Sequence, residues 1–234
     1  MKNTELSNKK ASLAEETMKL CKILYCQKDL PMSETCMCWG WECGEGWYNA
    51  LRKASCRLEA LNMLCYDKYK VRIQADQVKE KFGTLRFYYS VLCDSEERTD
   101  AQEVMIEYLE AEADKIIREA EDECYNTCEE CGSQIGTDWS PRCETSGWIR
   151  YICSRCAETI DKCGYVRTYF KNGAKYQGKT LLQTKEEVDA EHRAIEAKYE
   201  AEHDVVHEDD DDEEAVAKKF TEDIMKELHN NENA

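Results

Sequence analysis

Apolar positions along this chain change period several times, and each change marks an element. Residues 5–28 carry Leu13, Met18, Cys21, Leu24 and Tyr25 near helical spacing, and Pro31, which disfavours helix in the residue before it, marks the end of that helix. From about Trp47 to Tyr66, the positions Trp47, Leu51, Ala54, Leu58, Leu61 and Cys65 fall on one face of a second helix. The period then drops to two. Val71–Ala75 and Thr84–Val91 read as strands, with Leu85, Phe87, Tyr89 and Val91 on one face and Thr84, Arg86, Tyr88 and Ser90 on the other. Gly83 suits the turn between them.

Thr99 and Gln102 form a capping-box pattern that opens a third helix running to about Tyr125. Its inner face holds Met105, Leu109, Ile116, Ala120 and Cys124. Beyond it, Trp148–Ile152 reads as a strand, and Asn172-Gly173 between Val166–Lys171 and Ala174–Gln177 is a two-residue hairpin signal. Residues 185–203 are charged on all sides, as in an extended solvated helix, and Val216, Phe220, Ile224 and Leu228 repeat every four residues on a short terminal helix. So short a helix needs a surface on which to dock its apolar face. The expected fold is α+β: amphipathic helices on a small antiparallel sheet, a cysteine-held module and a helical acidic tail. The expected organisation is a body over 1–127, the module with its hairpin over 128–184, and the tail over 185–234.

Charge sharpens the last boundary. The chain has a net charge of −17 over 234 residues, yet residues 185–234 hold 19 acids against 6 bases and residues 1–184 hold 30 against 26. Glu208–Glu214 are seven consecutive acids, a block that cannot fold on itself and serves as a solvated linker or an interaction segment. No apolar run approaches the ~18 residues that span a bilayer, and the first residues are charged throughout, without the apolar stretch of a secretory signal. The expected setting is intracellular and reducing, away from the membrane.

Fifteen cysteines in such a setting are ligands or small core residues before they are staples. Cys128/Cys131 and Cys153/Cys156 are two Cys-x-x-Cys pairs 21 residues apart, and Gly132 supplies the permissive backbone often needed just after a second ligand. Two such turns complete a tetrahedral four-sulfur cage, so one structural Zn²⁺ is expected on Cys128, Cys131, Cys153 and Cys156. Cys36, Cys38 and Cys43 with Cys26 admit a second metal or a Trp-rich core turn; their spacing matches no regular knuckle. Cys21, Cys56 and Cys65 read as core.

Catalytic constellations are scarce. His192, His203, His207 and His229 all lie in the tail, which removes histidine triads and His-ligated zinc from the body. Gly44-Glu45-Gly46 lacks the Lys-Ser/Thr of a phosphate loop. Binding chemistry is richer. Arg167, Lys171, Lys175 and Lys179 interleave with Tyr165, Tyr169, Phe170 and Tyr176, with no acid between Gly164 and Lys185. Two readings stand: phosphate and stacking contacts to single-stranded nucleic acid, or a solvated hairpin with its rings packed inward.

Three blocks occur in order: Trp-Gly-Trp-Glu-Cys-Gly-Glu-Gly-Trp-Tyr over 39–48, Gln-Val-Lys-Glu-Lys-Phe-Gly-Thr-Leu-Arg-Phe-Tyr over 77–88, and Cys-Glu-Glu-Cys-Gly followed by Gly-Trp-Ile-Arg-Tyr-Ile-Cys-Ser-Arg-Cys over 147–156. In this combination, covering roughly residues 36–158, the chain resembles a family of small bacteriophage and prophage proteins. The resemblance implies viral origin, the cytoplasm of an infected bacterium and a zinc-ribbon-like end, and it implies no reaction. The expected function is a zinc-stabilised binding protein acting on a host protein or nucleoprotein complex, as an anti-defence inhibitor of the anti-CRISPR type. Alternatives are a zinc-ribbon nucleic-acid-binding regulator and an enzyme of unknown class. In the first of these readings the acid block imitates nucleic acid; otherwise it masks the basic hairpin or keeps the protein in solution.

Overall fold

The computed structural model describes residues 13–203, with side chains to residue 200. The fold is α+β, and it divides into two compact units between Leu182 and Gln183. The docking positions Val216, Phe220, Ile224 and Leu228 and the acid block Glu208–Glu214 lie outside the described residues.

The first described element of the first unit is helix α1, over 13–20. It ends at residue 20 rather than at the expected 28, because the amides of Ile23 and Leu24 are drawn away from helical bonding well before Pro31. The backbone N–H groups of Ile23 and Leu24 donate to the Glu59 carboxylate at 3.0 and 2.9 Å, and the Leu24 carbonyl accepts from Ala75 N–H at 2.8 Å. A buried carboxylate that satisfies two amide donors outcompetes another helical turn.

Glu59 rides on α2 (Tyr48–Tyr69), whose apolar face buries Leu51, Ala54, Leu58 and Cys65 as the spacing predicts. The same face carries the fully buried Asn62, which mimics a strand: its Oδ1 accepts from Ile73 N–H at 2.7 Å and its Nδ2 donates to Ile73 O at 2.9 Å. Glu59 and Asn62 on this inner face are thus used up on backbone, while Ser55 donates to Leu51 O and bonds the Tyr25 hydroxyl.

The strands are β1 (Trp41–Glu42), β2 (Val71–Lys81) and β3 (Thr84–Cys93), ordered β1-β2-β3. β2 and β3 pair antiparallel as expected, but β2 runs to Lys81 rather than stopping at Ala75. A bulge at Asp76, between Ala75 and Gln77, takes up one residue and returns Val78 to the core face, which hides the continuing strand from a strict two-residue count. β1 adds a parallel pairing, Trp41 opposite Val78 and Glu42 opposite Lys79, so this sheet is mixed.

Helix α3 (Asp100–Tyr125) starts at the Thr99/Gln102 capping box and buries Leu109, Ile116, Ile117, Ala120 and Cys124. α2 and α3 cover one face of the sheet, where Leu85 and Phe87 are buried; Tyr89 and Val91 pack at the margin of the same core.

The rest of the unit is a second, five-stranded sheet of β4 (Arg142–Thr145), β5 (Tyr151–Cys153), β6 (Thr168–Lys171), β7 (Ala174–Gln177) and β8 (Thr180–Gln183), ordered β5-β4-β6-β7-β8. A four-residue helix, α4 (Ser154–Ala157), follows β5. The strand expected over Trp148–Ile152 starts three residues later and ends one later, because Thr145 accepts Arg150 N–H on its hydroxyl and donates to Trp148 O, holding 146–150 as a loop. Asn172 and Gly173 take φ of 51° and 83° in the predicted hairpin turn. The second unit is described through α5 (Lys185–His203), opened by Thr184 and Glu187 in reciprocal capping bonds.

Candidate metal centre

α3 ends at Tyr125 and delivers the first cysteine pair directly. Cys128 N–H donates to Ser133 O at 2.7 Å and Gly132 N–H to Cys128 O at 2.9 Å, which closes the turn with Gly132 at φ 74°. The second pair spans the end of β5 and α4, with Cys153 as the residue preceding the helix and Cys156 inside it. The four sulfurs lie within 4.8 Å of one another, and Cys131 and Cys153 are 3.7 Å apart. A metal–sulfur bond of about 2.3 Å places tetrahedral sulfurs about 3.8 Å apart, so the donor set fits a four-coordinate ion. Cys128, Cys131, Cys153 and Cys156 therefore form a group that can hold a metal ion, and among the described residues no other cluster of cysteine, histidine or carboxylate ligands comes this close.

A hydrogen bond from the Cys156 thiol holds Cys128 down to about 4, while that same bond pushes Cys156 up. Burial pushes Cys153 up to about 11. Burial alone would raise Cys131, but the Ser133 hydroxyl and N–H outweigh it and hold the thiol below its ordinary range. Four sulfurs this close cannot all be anionic without a compensating positive charge.

The two residues inside the first pair fasten the centre to its surroundings. Glu129 is 2% exposed. Its carboxylate accepts Gly44 N–H at 2.9 Å and both Nε and Nη2 of Arg150, at 3.0 and 2.8 Å. Its carbonyl accepts Gly46 N–H at 2.7 Å. Burial pushes the Glu129 carboxyl up and Arg150 pulls it back. Glu130 accepts from Arg150 at 3.1 Å and from Arg167 at 2.6 Å.

The 44–46 loop comes so near that a Cβ on Gly44 would sit 2.3 Å from Glu129 O, and one on Gly46 would sit 2.1 Å from Cys128 O. Trp47 Nε1 completes the seat by donating to Thr127 O at 3.0 Å. The β2–β3 turn reaches the same place. Glu80 accepts from Gly83 N–H and from Trp148 Nε1, both at 2.7 Å, and a Cβ on Gly83 would meet the Tyr151 ring at 2.9 Å. All three sequence blocks quoted above thus meet at one junction, where the cysteine module seats on the body. The Gly-Glu-Gly motif, excluded as a phosphate loop, is a seat for the metal knuckle. Its only sequence signal was two glycines beside a tryptophan.

The other predicted residues do not come together. Cys26 donates to Gln74 Oε1, Cys38 to Thr35 O, Cys36 is exposed, and Cys43 packs against the body core with its thiol pushed up by burial. In the basic hairpin, Arg167 is already spent on Glu130 and Cys156 O. Tyr169 is buried, bonds Gly178 O and stacks on Tyr176 at 5.5 Å. Register puts Lys171 on the Tyr169/Tyr176 side and Lys175, opposite Phe170, on the other. Lys179 lies beyond the strand in an exposed turn. No single face gathers these bases.

No protein-family model, curated protein or solved structure matches this chain. No helix among the described residues is long and apolar enough to cross a membrane.

Proposed function

We propose that this chain is a zinc-stabilised, non-catalytic binding protein of phage origin that acts on a host protein or nucleoprotein complex, as an anti-defence inhibitor of the anti-CRISPR type does. The observation that carries the reading is the junction around Glu129. Zinc is the ion suited to four thiolates from two such turns, and four protein ligands leave no position for water or substrate. The spacer residues Glu129 and Glu130 are committed to internal arginines and backbone, so the cage anchors a module. The phage and anti-defence part of the proposal is supported by the resemblance of residues 36–158 and by the acidic tail.

Elemental analysis of protein purified under reducing conditions checks the metal: one zinc per chain is expected, lost in a Cys128→Ser/Cys153→Ser variant, and none in the parent overturns it. Tagged full-length chain incubated with bacterial lysate, with and without nuclease, checks the partner. Capture of one defined host protein or nucleoprotein complex whose activity the chain inhibits is expected; recovery of nucleic acid alone, lost on nuclease treatment, overturns the reading in favour of a nucleic-acid regulator.

A further inference from the structure

The outward face of the β2–β3 hairpin gathers positive charge that makes no ion pair among the described residues. Counting from the register, Gln77, Lys79 and Lys81 of β2 stand opposite Tyr88, Arg86 and Thr84 of β3, and all six point away from the side covered by α2 and α3. In a chain with 49 acids and 32 bases, cations are normally taken up by neighbouring carboxylates. Here they are not. Among the described residues Lys79, Lys81 and Arg86 make no ion pair.

The acids beside this face bond to neutral groups or to a cation outside it, and Glu42, opposite Lys79 in the register, stands on the face itself. Glu42 accepts from Gln77, Asp76 from Ser90 and Gln74, and Asp94 from Tyr66 and Arg72. Glu121 on α3 feels the charge of Arg86, whose Nη1 donates to Leu85 O at 3.3 Å. Among the described residues, the face therefore keeps three cations without an ion pair within about 7 Å of strand, two residues at ~3.3 Å each.

Two rings stand among these cations. Tyr88 is 44% exposed, with Lys79 Nζ 5.6 Å from its centroid. Phe82 is 67% exposed at the hairpin tip, with Lys81 Nζ 5.7 Å from its centroid. Folding does not account for Phe82. It holds φ 52°, a left-handed position where a bulky side chain is strained, and its ring is not buried in return. The hairpin of the second sheet fills the equivalent position with Asn172, the residue type that such a turn favours. A strained, exposed aromatic beside these cations serves a contact outside the fold.

We propose that this face binds single-stranded nucleic acid, with Lys79, Lys81 and Arg86 on phosphates and Tyr88 and Phe82 stacking on bases. An acidic protein segment would satisfy the cations but has no use for two open rings; a base presents a flat face to each. The inference needs no host partner, so it stands or falls separately from the function proposed above.

The test is fluorescence anisotropy of the full-length, metal-loaded chain with labelled oligothymidylate and oligouridylate at a series of salt concentrations. Saturable binding is expected, with a log–log salt slope of about −2, from ~0.7 per single-strand phosphate contact over three cations. Lys79→Gln/Lys81→Gln/Arg86→Gln should weaken binding by about 100-fold and flatten the slope, and Tyr88→Ala should weaken it by roughly 10-fold, in the range of one lost stacking contact. Unchanged melting and metal content certify that these surface variants are folded. Lys171→Glu/Lys175→Glu, on the second sheet, should leave affinity unchanged.

No saturable binding by the parent, or loss only in the Lys171/Lys175 variant, overturns the proposal. Polyglutamate competing as well as the oligonucleotide, with Tyr88→Ala neutral, overturns it in favour of an acidic protein partner.

Discussion

Replacing Gly44 by alanine adds one methyl group at the tightest point between the body and the cysteine module. The backbone of Gly44 sits at φ −70° and ψ 145°, a conformation any residue adopts, so no torsional strain enters the comparison. The cost is proximity alone. The new Cβ would lie 2.3 Å from Glu129 O, 2.7 Å from Glu129 Cγ and 2.9 Å from Arg150 Nη2. The first is the Glu129 backbone carbonyl, already bonded by Gly46 N–H, and the second belongs to its buried, paired side chain, so neither retreats without leaving its partners. Moving the loop away breaks the Gly44 N–H bond to a charged acceptor, worth about 1.5–3 kcal/mol. Moving Glu129 instead opens the Arg150 pair, and an uncompensated buried charge costs about 3–5 kcal/mol.

These effects share one residue and do not add, so Gly44→Ala should lose about 3–5 kcal/mol, a large part of the ~5–15 kcal/mol that holds a domain together. The assay is urea denaturation at fixed zinc, so that metal linkage is constant, with a colorimetric chelator following zinc release in parallel. Release should accelerate, since the first knuckle loses its backing. Gly147→Ala is the matched control: its φ is 85° with nothing within 4 Å of the added Cβ, so only the left-handed penalty of roughly 1–2 kcal/mol applies. A Gly44→Ala protein within about 1 kcal/mol of the parent, releasing zinc at the parental rate, would refute the seating argument.

Two further outcomes follow from the body. Leu85→Asp places a charge on the fully buried face of β3 under the helices and should cost more than about 3 kcal/mol, seen as collapse of the urea midpoint; a parental midpoint would mean that the core face of β3 is misassigned. The Asp94 carboxyl is held below its usual range by the Tyr66 hydroxyl first and Arg72 second. A depressed folded value means that its contribution is fully present above the unfolded value near 4 and is lost as pH falls through the folded one. Asp94→Asn should therefore flatten the acid limb of the stability–pH curve while the parent falls; parallel curves would contradict the assignment.

What could be read from the sequence was whatever depends on local spacing. The faces of α2 and α3 follow from apolar recurrence, the start of α3 from Thr99 and Gln102, the 171–174 turn from Asn172-Gly173, and the cysteine group from two short spacers that each force two sulfurs together. What needed the tertiary structure depends on neighbours far away along the chain. α1 stops early because Glu59, 36 residues from Ile23, captures its outgoing amides. β2 continues past Ala75 because a bulge restores its face. Arg167 looked like a free base and is held by Glu130, 37 residues away, while Lys79, Lys81 and Arg86 make no ion pair among the described residues; nothing local says which charges will find partners. Above all, Gly44 and Glu129 are 85 residues apart, and only the close approach of two backbones explains why one is glycine and the other a buried acid. Periodicity reports which side of an element is apolar; it carries no information on which polar group waits across the gap.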